Sequence, residues 1–176
     1  MPNDYWQTPD YVYRWLDNIF HFNLDAAAND QNNRTTPFIS EAVNALKSDW
    51  AGLMRLYGMG EIPDGRVRAF CNPPYSRNRH RSLWDWCKKF YEEGQAGALV
   101  VALLPLDVTG WVRDWVIGKA EVWIPDERIA FIDPETGKPG ESPTRGAMIV
   151  IYGPEARVGH VRFVHIPREV LEKNDK

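Results

Sequence analysis

Only two cysteines, Cys71 and Cys87, occur in 176 residues. They lack metal-ligand spacing and are too few for a disulfide framework. Such thiols read as reduced, which points to a cytoplasmic setting. No apolar run approaches the ~20 residues of a membrane-spanning helix, and the first residues lack the pattern of a secretion signal. An excess of positive charge is also missing: 21 Lys and Arg against 24 Asp and Glu leave a net charge of −3. Any contact with nucleic acid must therefore rest on a local basic patch. The four histidines, His21, His80, His160 and His165, are scattered, so no metal site is expected. No internal repeat and no low-complexity segment is visible.

What is present is core and aromatic surface. Hydrophobic residues make up 44% of the chain, which excludes a disordered protein and suits one domain with no separate recognition domain. Eight Trp, seven Tyr and seven Phe exceed what packing alone asks for and suit a protein that stacks bases. Thr8-Pro9 predicts a helix start, with Thr as cap and Pro at the first helical position. Val12, Trp15, Leu16, Ile19 and Phe20 then form its apolar face. Phe22 to Leu24 predicts a short strand ending at Asp25, and Ala26 to Thr36 a polar loop. Ser40 to Leu46 predicts a short helix. After Asp49-Trp50, a Gly- and Pro-bearing connection leads to the strand Val67 to Cys71.

Leu83, Trp86, Cys87 and Phe90 mark an amphipathic helix ending near Gly94. The continuous apolar run Ala98 to Leu104 predicts a buried parallel strand. A helix over Thr109 to Ile117 follows, then strands at Ala120 to Ile124, Arg128 to Ile132, Ala147 to Tyr152 and Val161 to Ile166. The segment from Asp133 to Arg145 reads as a mobile or ligand-ordered loop, and Pro167 to Lys173 as a terminal helix. Alternating strands and helices followed by closely spaced strands predict an α/β three-layer sandwich with antiparallel edge strands. Ligands of such sheets bind at the carboxyl ends of strands, where Asp25, Asn72 and Pro105 all fall.

Asn72-Pro73-Pro74-Tyr75 ends one of these strands. Two prolines donate no backbone hydrogen bond and hold the chain extended. The neighbouring carbonyl is then free to accept from a ligand. The Asn72 amide adds a second acceptor, and Tyr75 adds a stacking face. Two acceptors and a ring suit a planar amine. Pro-Pro is also an ordinary turn element. A match of this kind arises by chance in roughly one such chain in a hundred, so the remaining motifs must decide.

Those motifs are Trp6-Gln7-Thr8-Pro9, Leu24-Asp25-Ala26-Ala27-Ala28, Asp49-Trp50, Phe70-Cys71-Asn72-Pro73-Pro74-Tyr75-Ser76, Leu103-Leu104-Pro105 and Met148-Ile149-Val150-Ile151-Tyr152. In this order, and over nearly the whole chain, they resemble the phage-type DNA N6-adenine methyltransferases, small relatives of the Dam enzymes. The resemblance implies a Rossmann-like methyltransferase fold, S-adenosylmethionine as methyl donor, and a flipped-out adenine in DNA as acceptor. It implies a phage or prophage origin, with action in a bacterial host cell. It assigns Asn72, Pro73, Pro74 and Tyr75 to catalysis. It assigns Tyr5, Trp6, Thr8 and Pro9 to the methionine end of the donor. Asp25, with Ala26 and Ala27 beside it, would meet the donor's ammonium. Asp49 would accept from the donor's adenine, with Trp50 lining that pocket. The small residues after Asp25 are alanines rather than glycines, and Ala26 stands where the family commonly has Pro. Asp30 and Glu41 are the candidates for a ribose-binding acid.

Ser76, Arg77, Asn78, Arg79, His80 and Arg81 form the basic stretch expected to meet DNA, at phosphates or a guanine edge. Arg128 matches a basic position of the family. Sequence preference would then come from short insertions or from a second subunit in a homo-oligomer. The tetrapeptide alone also fits cytosine N4, RNA adenine or a protein amide as acceptor, and a non-catalytic DNA-binding module that retains the fold is the competing class.

Overall fold

The computed structural model describes residues 6–57, 65–75, 82–140 and 146–168. Its centre is a six-stranded sheet: β1 (Leu24–Asp25), β2 (Arg68–Cys71), β3 (Leu99–Pro105), β4 (Glu121–Pro125), β5 (Ala147–Tyr152) and β6 (Val161–Val164). The spatial order is β1-β2-β3-β5-β4-β6. β1, β2 and β3 are parallel, β5 runs antiparallel to both β3 and β4, and β6 is parallel to β4. The mixed α/β sheet is the one expected. Its antiparallel strand lies inside the sheet, and the edge strand β6 runs with its neighbour. β1 to β4 thus point their carboxyl ends the same way.

Alternation along the strands separates two cores. Ala69, Cys71, Val100, Ala102, Leu104, Met148 and Val150 face one layer, where α2 (Trp50–Leu56), α3 (Leu83–Gln95) and α4 (Gly110–Trp115) supply Trp50, Met54, Trp86, Cys87, Phe90 and Trp111. Phe70, Leu99, Val101, Leu103, Ile149 and Ile151 face the other layer, covered by Val12, Tyr13, Leu16 and Phe20 of α1 (Asp10–Phe20). β3 is buried on both faces, which explains its uninterrupted apolar run. α3 starts at a capping box: Asp85 N–H donates to Ser82 Oγ at 3.3 Å, and Ser82 N–H donates to Asp85 Oδ2 at 3.0 Å. β5 ends at Gly153, whose φ of 114° and close approach to the Ala98 carbonyl leave no space for a side chain.

Several expectations need correction. α1 begins at Asp10, with Pro9 rather than Thr8 as its capping residue. Thr8 is instead drawn inward, with its carbonyl engaged by Arg34. Ile19 points to solvent, and Tyr13 takes its place on the buried face. Ser40 to Leu46 forms turns, because Asn44 takes a left-handed φ of 62° that an α-helix interior does not accommodate. Arg128 to Ile132 adds no strand. β4 and β5 already have a partner on each side, so only Ile132 pairs, bonding Gln7 through both backbone groups at 2.9 Å. Residues 133–140, expected to form part of an open loop, close on themselves: Gly137 N–H reaches the Asp133 carbonyl at 2.8 Å, and Gly140 N–H the Phe131 carbonyl at 2.9 Å. Pro167 and Arg168 are not helical, and the rest of the expected terminal helix lies outside the described residues. Among the described residues, no helix is long and apolar enough to cross a membrane.

Candidate active site

The carboxyl ends of β1 and β2 open into a cavity of about 270 Å³. This lies near the lower end of the ~300–1,000 Å³ typical of small-molecule sites. Asp25, Ala26 and Ala27 line it from β1, Asn72 and Pro74 from β2, and Trp6, Gln7 and Thr8 from the segment before α1. The polar loop supplies Asn29, Asn32 and Arg34, and the turns after Phe38 supply Ser40, Glu41 and Asn44. Trp86 of α3 completes the wall.

Asp25 is buried, and its carboxylate accepts from Ala27 N–H at 3.3 Å and Arg34 N–H at 3.0 Å. Burial pushes its pKa up to about 6, and those two backbone donors and the Arg34 charge hold it from rising further. The other buried carboxylates have side-chain partners of their own: Glu93 pairs with Lys89 at 2.6 Å, and Glu121 accepts from Trp123 at 2.7 Å. Among the described residues, Asp25 has only backbone donors within its own loop, and it has a face on the cavity. A cation in that cavity would be attracted to it, and would lower its pKa by favouring the charged form.

Residues 37–39 run beside β1. Asp25 N–H donates to the Pro37 carbonyl at 3.2 Å, and Ile39 N–H to the Asp25 carbonyl at 2.8 Å. This short parallel bridge delivers Ser40 and Glu41 to the cavity. The loop before it holds its shape through Asn29, whose Oδ1 accepts from Gln31 N–H at 2.8 Å and Asn32 N–H at 3.1 Å. The polar composition of residues 26–36 is thus a bonding requirement of the loop itself.

Asn72 is held on both sides. Its Nδ2 donates to the Trp6 carbonyl at 3.4 Å, and its Oδ1 accepts from the Tyr75 hydroxyl at 3.0 Å. The two contacts agree on which end of the amide is oxygen. The Tyr75 hydroxyl also lies 3.1 Å from the Leu103 carbonyl, and burial holds its pKa far above the ordinary value, so it remains a donor. The ring itself is only partly buried. Pro73 is buried, and its carbonyl accepts no backbone hydrogen bond among the described residues. Trp6 is seated against Gly140, where any side chain would collide with the indole ring.

Arg34 and Trp86, both lining the cavity, each carry a buried donor without a protein acceptor among the described residues: Arg34 Nε and Trp86 Nε1. Unpaired buried donors are costly, so a polar ligand carrying acceptors suits this cavity.

The expected site residues divide into groups. Trp6, Thr8, Asp25, Ala26, Ala27, Asn72 and Pro74 come together on the cavity wall. Pro9 caps α1 beside it, and Tyr75 lies behind Asn72. Asp49 and Trp50 are not on the wall. Asp49 is an exposed cap of α2, 3.7 Å from Arg55, and Trp50 is fully buried with its indole N–H donating to the Ala45 carbonyl at 3.0 Å. Arg128 is exposed beyond the carboxyl end of β4, on the same edge of the sheet as Asn72. Tyr5 and Ser76 to Arg81 lie outside the described residues. Arg34 and Trp86 were not expected. Arg34 is the one cation in residues 26–36, a signal the sequence did carry. Trp86 reads simply as core. Among the described residues, no group of His, Cys, Asp and Glu is arranged to hold a metal.

Comparison with known proteins gives this cavity a context. The family described as DNA N-6-adenine-methyltransferase (Dam) matches residues 1–174. A DNA N-6-adenine-methyltransferase of Haemophilus phage HP1 (strain HP1c1) is 29% identical over 175 residues, covering 97% of this chain and 91% of the relative. A protein of the same description from Escherichia phage T1 is 29% identical over 179 residues, covering 92% of this chain and 67% of the relative.

Proposed function

The chain belongs to the DNA N-6-adenine-methyltransferase (Dam) family, and from that membership we infer how its residues divide the work of methylating the N6 amine of adenine in DNA. The observation that carries the reading is the fixed Asn72 amide at the rim of the cavity that holds Asp25.

S-adenosylmethionine would bind in this cavity and supply an electrophilic methyl group on a sulfonium. The buried Asp25 carboxylate and the unpaired donors of Arg34 and Trp86 suit a ligand of mixed charge with several acceptors. Asp25 accepts from the donor's ammonium, and Trp6 and Thr8 wall the methionine end. Glu41, at the end of the short chain segment beside β1, accepts from ribose hydroxyls. Its position after a parallel segment next to the first strand matches the general site of ribose-binding acids in dinucleotide folds. Asp30 is exposed and not on the wall, which favours Glu41 of the two. Asp49 and Trp50 sit away from the wall, so the donor's adenine is assigned to the cavity residues around Ala45 and Trp86 instead.

Asn72 Oδ1 and the Pro73 carbonyl accept the two hydrogens of the target amine. That aims the nitrogen lone pair at the methyl group and withdraws positive charge as it develops. Tyr75 orients the Asn72 oxygen through its hydroxyl and offers its ring to the base. The target base must leave the duplex, since its amine is inaccessible within the stack. Ser76 to Arg81 and Arg128 flank the carboxyl edge of the sheet in sequence and would meet the DNA backbone. Residues 1–176 act as one domain that both transfers the methyl group and meets the DNA.

Transfer of a tritiated methyl group to DNA, RNA and protein acceptors tests the reading. Label on adenine N6 in DNA is expected. Label confined to cytosine, RNA or protein would overturn it.

A further inference from the structure

The methionine end of the donor carries an ammonium and a carboxylate on one carbon, and the reading above accounts only for the ammonium. We propose that Arg34 recognises the carboxylate, and that it is the residue by which the site tells the intact donor from forms lacking that group. This rests on the donor assignment made above.

Arg34 is the cavity's only cation among the described residues. Its side chain is mostly covered, 17% exposed, and two of its three nitrogens are engaged: Nη1 with Asp10 and Nη2 with the Thr8 carbonyl. Nε is buried and has no acceptor among the described residues. Guanidinium carries five N–H donors in a fixed fork, so these contacts leave hydrogens for another acceptor while holding the plane in place. Each Nη carries a second hydrogen, and a carboxylate in the cavity is the acceptor that a guanidinium fork matches in both charge and shape.

Position supports the same pairing. The backbone N–H of Arg34 donates to Asp25 Oδ2 at 3.0 Å, so the buried carboxylate and the guanidinium belong to neighbouring parts of one wall. A ligand with opposite charges on one carbon needs that adjacency. Among the described residues, Thr8, Asp10, Tyr13 and Asp25 surround Arg34, and Asp10 is its salt-bridge partner. The simpler alternative is that Arg34 only fastens the polar loop to the start of α1. That role explains the contacts of Nη1 and Nη2 and leaves unexplained why the cation lies on the cavity wall.

The two roles separate by ligand. Binding of S-adenosylmethionine, its decarboxylated analogue (ammonium kept, carboxylate gone) and 5′-methylthioadenosine (both gone) is measured by calorimetry on the wild-type chain and on Arg34→Gln and Asp10→Asn. The wild type is expected to prefer the intact donor over the decarboxylated one by about 10–100-fold, the range of a charge-assisted pair. In Arg34→Gln that preference should shrink to within about threefold through lost affinity for the intact donor, with the decarboxylated analogue bound as before. Equal weakening of both ligands would assign Arg34 to loop fastening and overturn the proposal, as would an unchanged preference. Asp10→Asn keeps the guanidinium and removes its ion pair, so the preference should persist or widen, and a fall to parity would overturn the proposal. The Asp10→Asn and wild-type preferences decide even where Arg34→Gln fails to fold. A wild type that binds both donors equally removes the Arg34 assignment alone, whereas one that binds none of the three ligands removes the donor assignment itself.

Discussion

Tyr75 and Asn72 are joined by a 3.0 Å hydrogen bond in which the phenol donates and the amide oxygen accepts. The same Asn72 amide donates to the Trp6 carbonyl from its other end, so its oxygen has one orientation. Tyr75→Phe removes the hydroxyl and keeps the ring. It should lower kcat by about 3–10-fold, the value of one neutral hydrogen bond, and leave donor affinity unchanged. Single-turnover methylation together with donor binding checks both halves, and a fully active Tyr75→Phe would mean that the hydroxyl does not position Asn72.

Asn72→Ala removes the acceptor itself. The expected loss in kcat is at least about 100-fold, in line with other preorganised transition-state contacts. Donor binding should persist. Wild-type rates on DNA in this variant would show that the amine is gripped elsewhere.

The raised pKa of Asp25 has a definite sign. The folded chain keeps this proton at pH values where the unfolded chain has lost it, so the group's contribution to stability declines as pH rises from its ordinary value of 3.8 to about 6 and is constant above. A cationic donor prefers the ionised form. Its affinity should therefore rise about tenfold between pH 5 and 7 and level off above. Asp25→Asn should bind more weakly and lack that slope. A titration of donor affinity against pH in both proteins reads the difference directly.

Glu41 and Asp30 separate in the same assay. Glu41→Ala should weaken donor binding by about 5–10-fold, the cost of a lost charge-assisted hydrogen bond. Asp30→Ala, off the wall, should leave it within about twofold. The reverse ranking would move the ribose site.

Gly153→Ala tests the sheet rather than the site. A Cβ there would collide with the Ala98 carbonyl, and the φ of 114° strains any other residue. A loss of about 2–4 kcal/mol is expected, seen as a melting temperature lower by about 5–15 °C. An unchanged melting curve would show that the turn after β5 relaxes freely.

The strands and helices with strong periodicity were legible in advance. β3 declared itself by its apolar run, α3 by the spacing of Leu83, Trp86, Cys87 and Phe90, and Asn72 by its prolines. Failures came where tertiary pairing decided. Arg128 to Ile132 has strand-like composition but follows β4, which already has a partner on each side. Ser40 to Leu46 has helical composition but turns at Asn44 to stay beside β1. The expectation for Asp49 and Trp50 rested on resemblance alone, and composition could not tell a cavity Trp from a core one. Trp86 was missed for the same reason in reverse. The cavity wall draws on five separated stretches of chain, and only the two at strand ends announced themselves by local pattern.

The seating of Trp6 against Gly140 binds two distant positions into one unit of change. A side chain at 140 is compatible only with a smaller residue at 6, and the space left by a smaller residue at 6 is filled by a side chain at 140. Because the Trp6 carbonyl also receives the Asn72 amide, such an exchange would be felt at the reacting amine. Across relatives these two positions should vary jointly or not at all, and a designer who places a side chain at 140 must redesign position 6 in the same step.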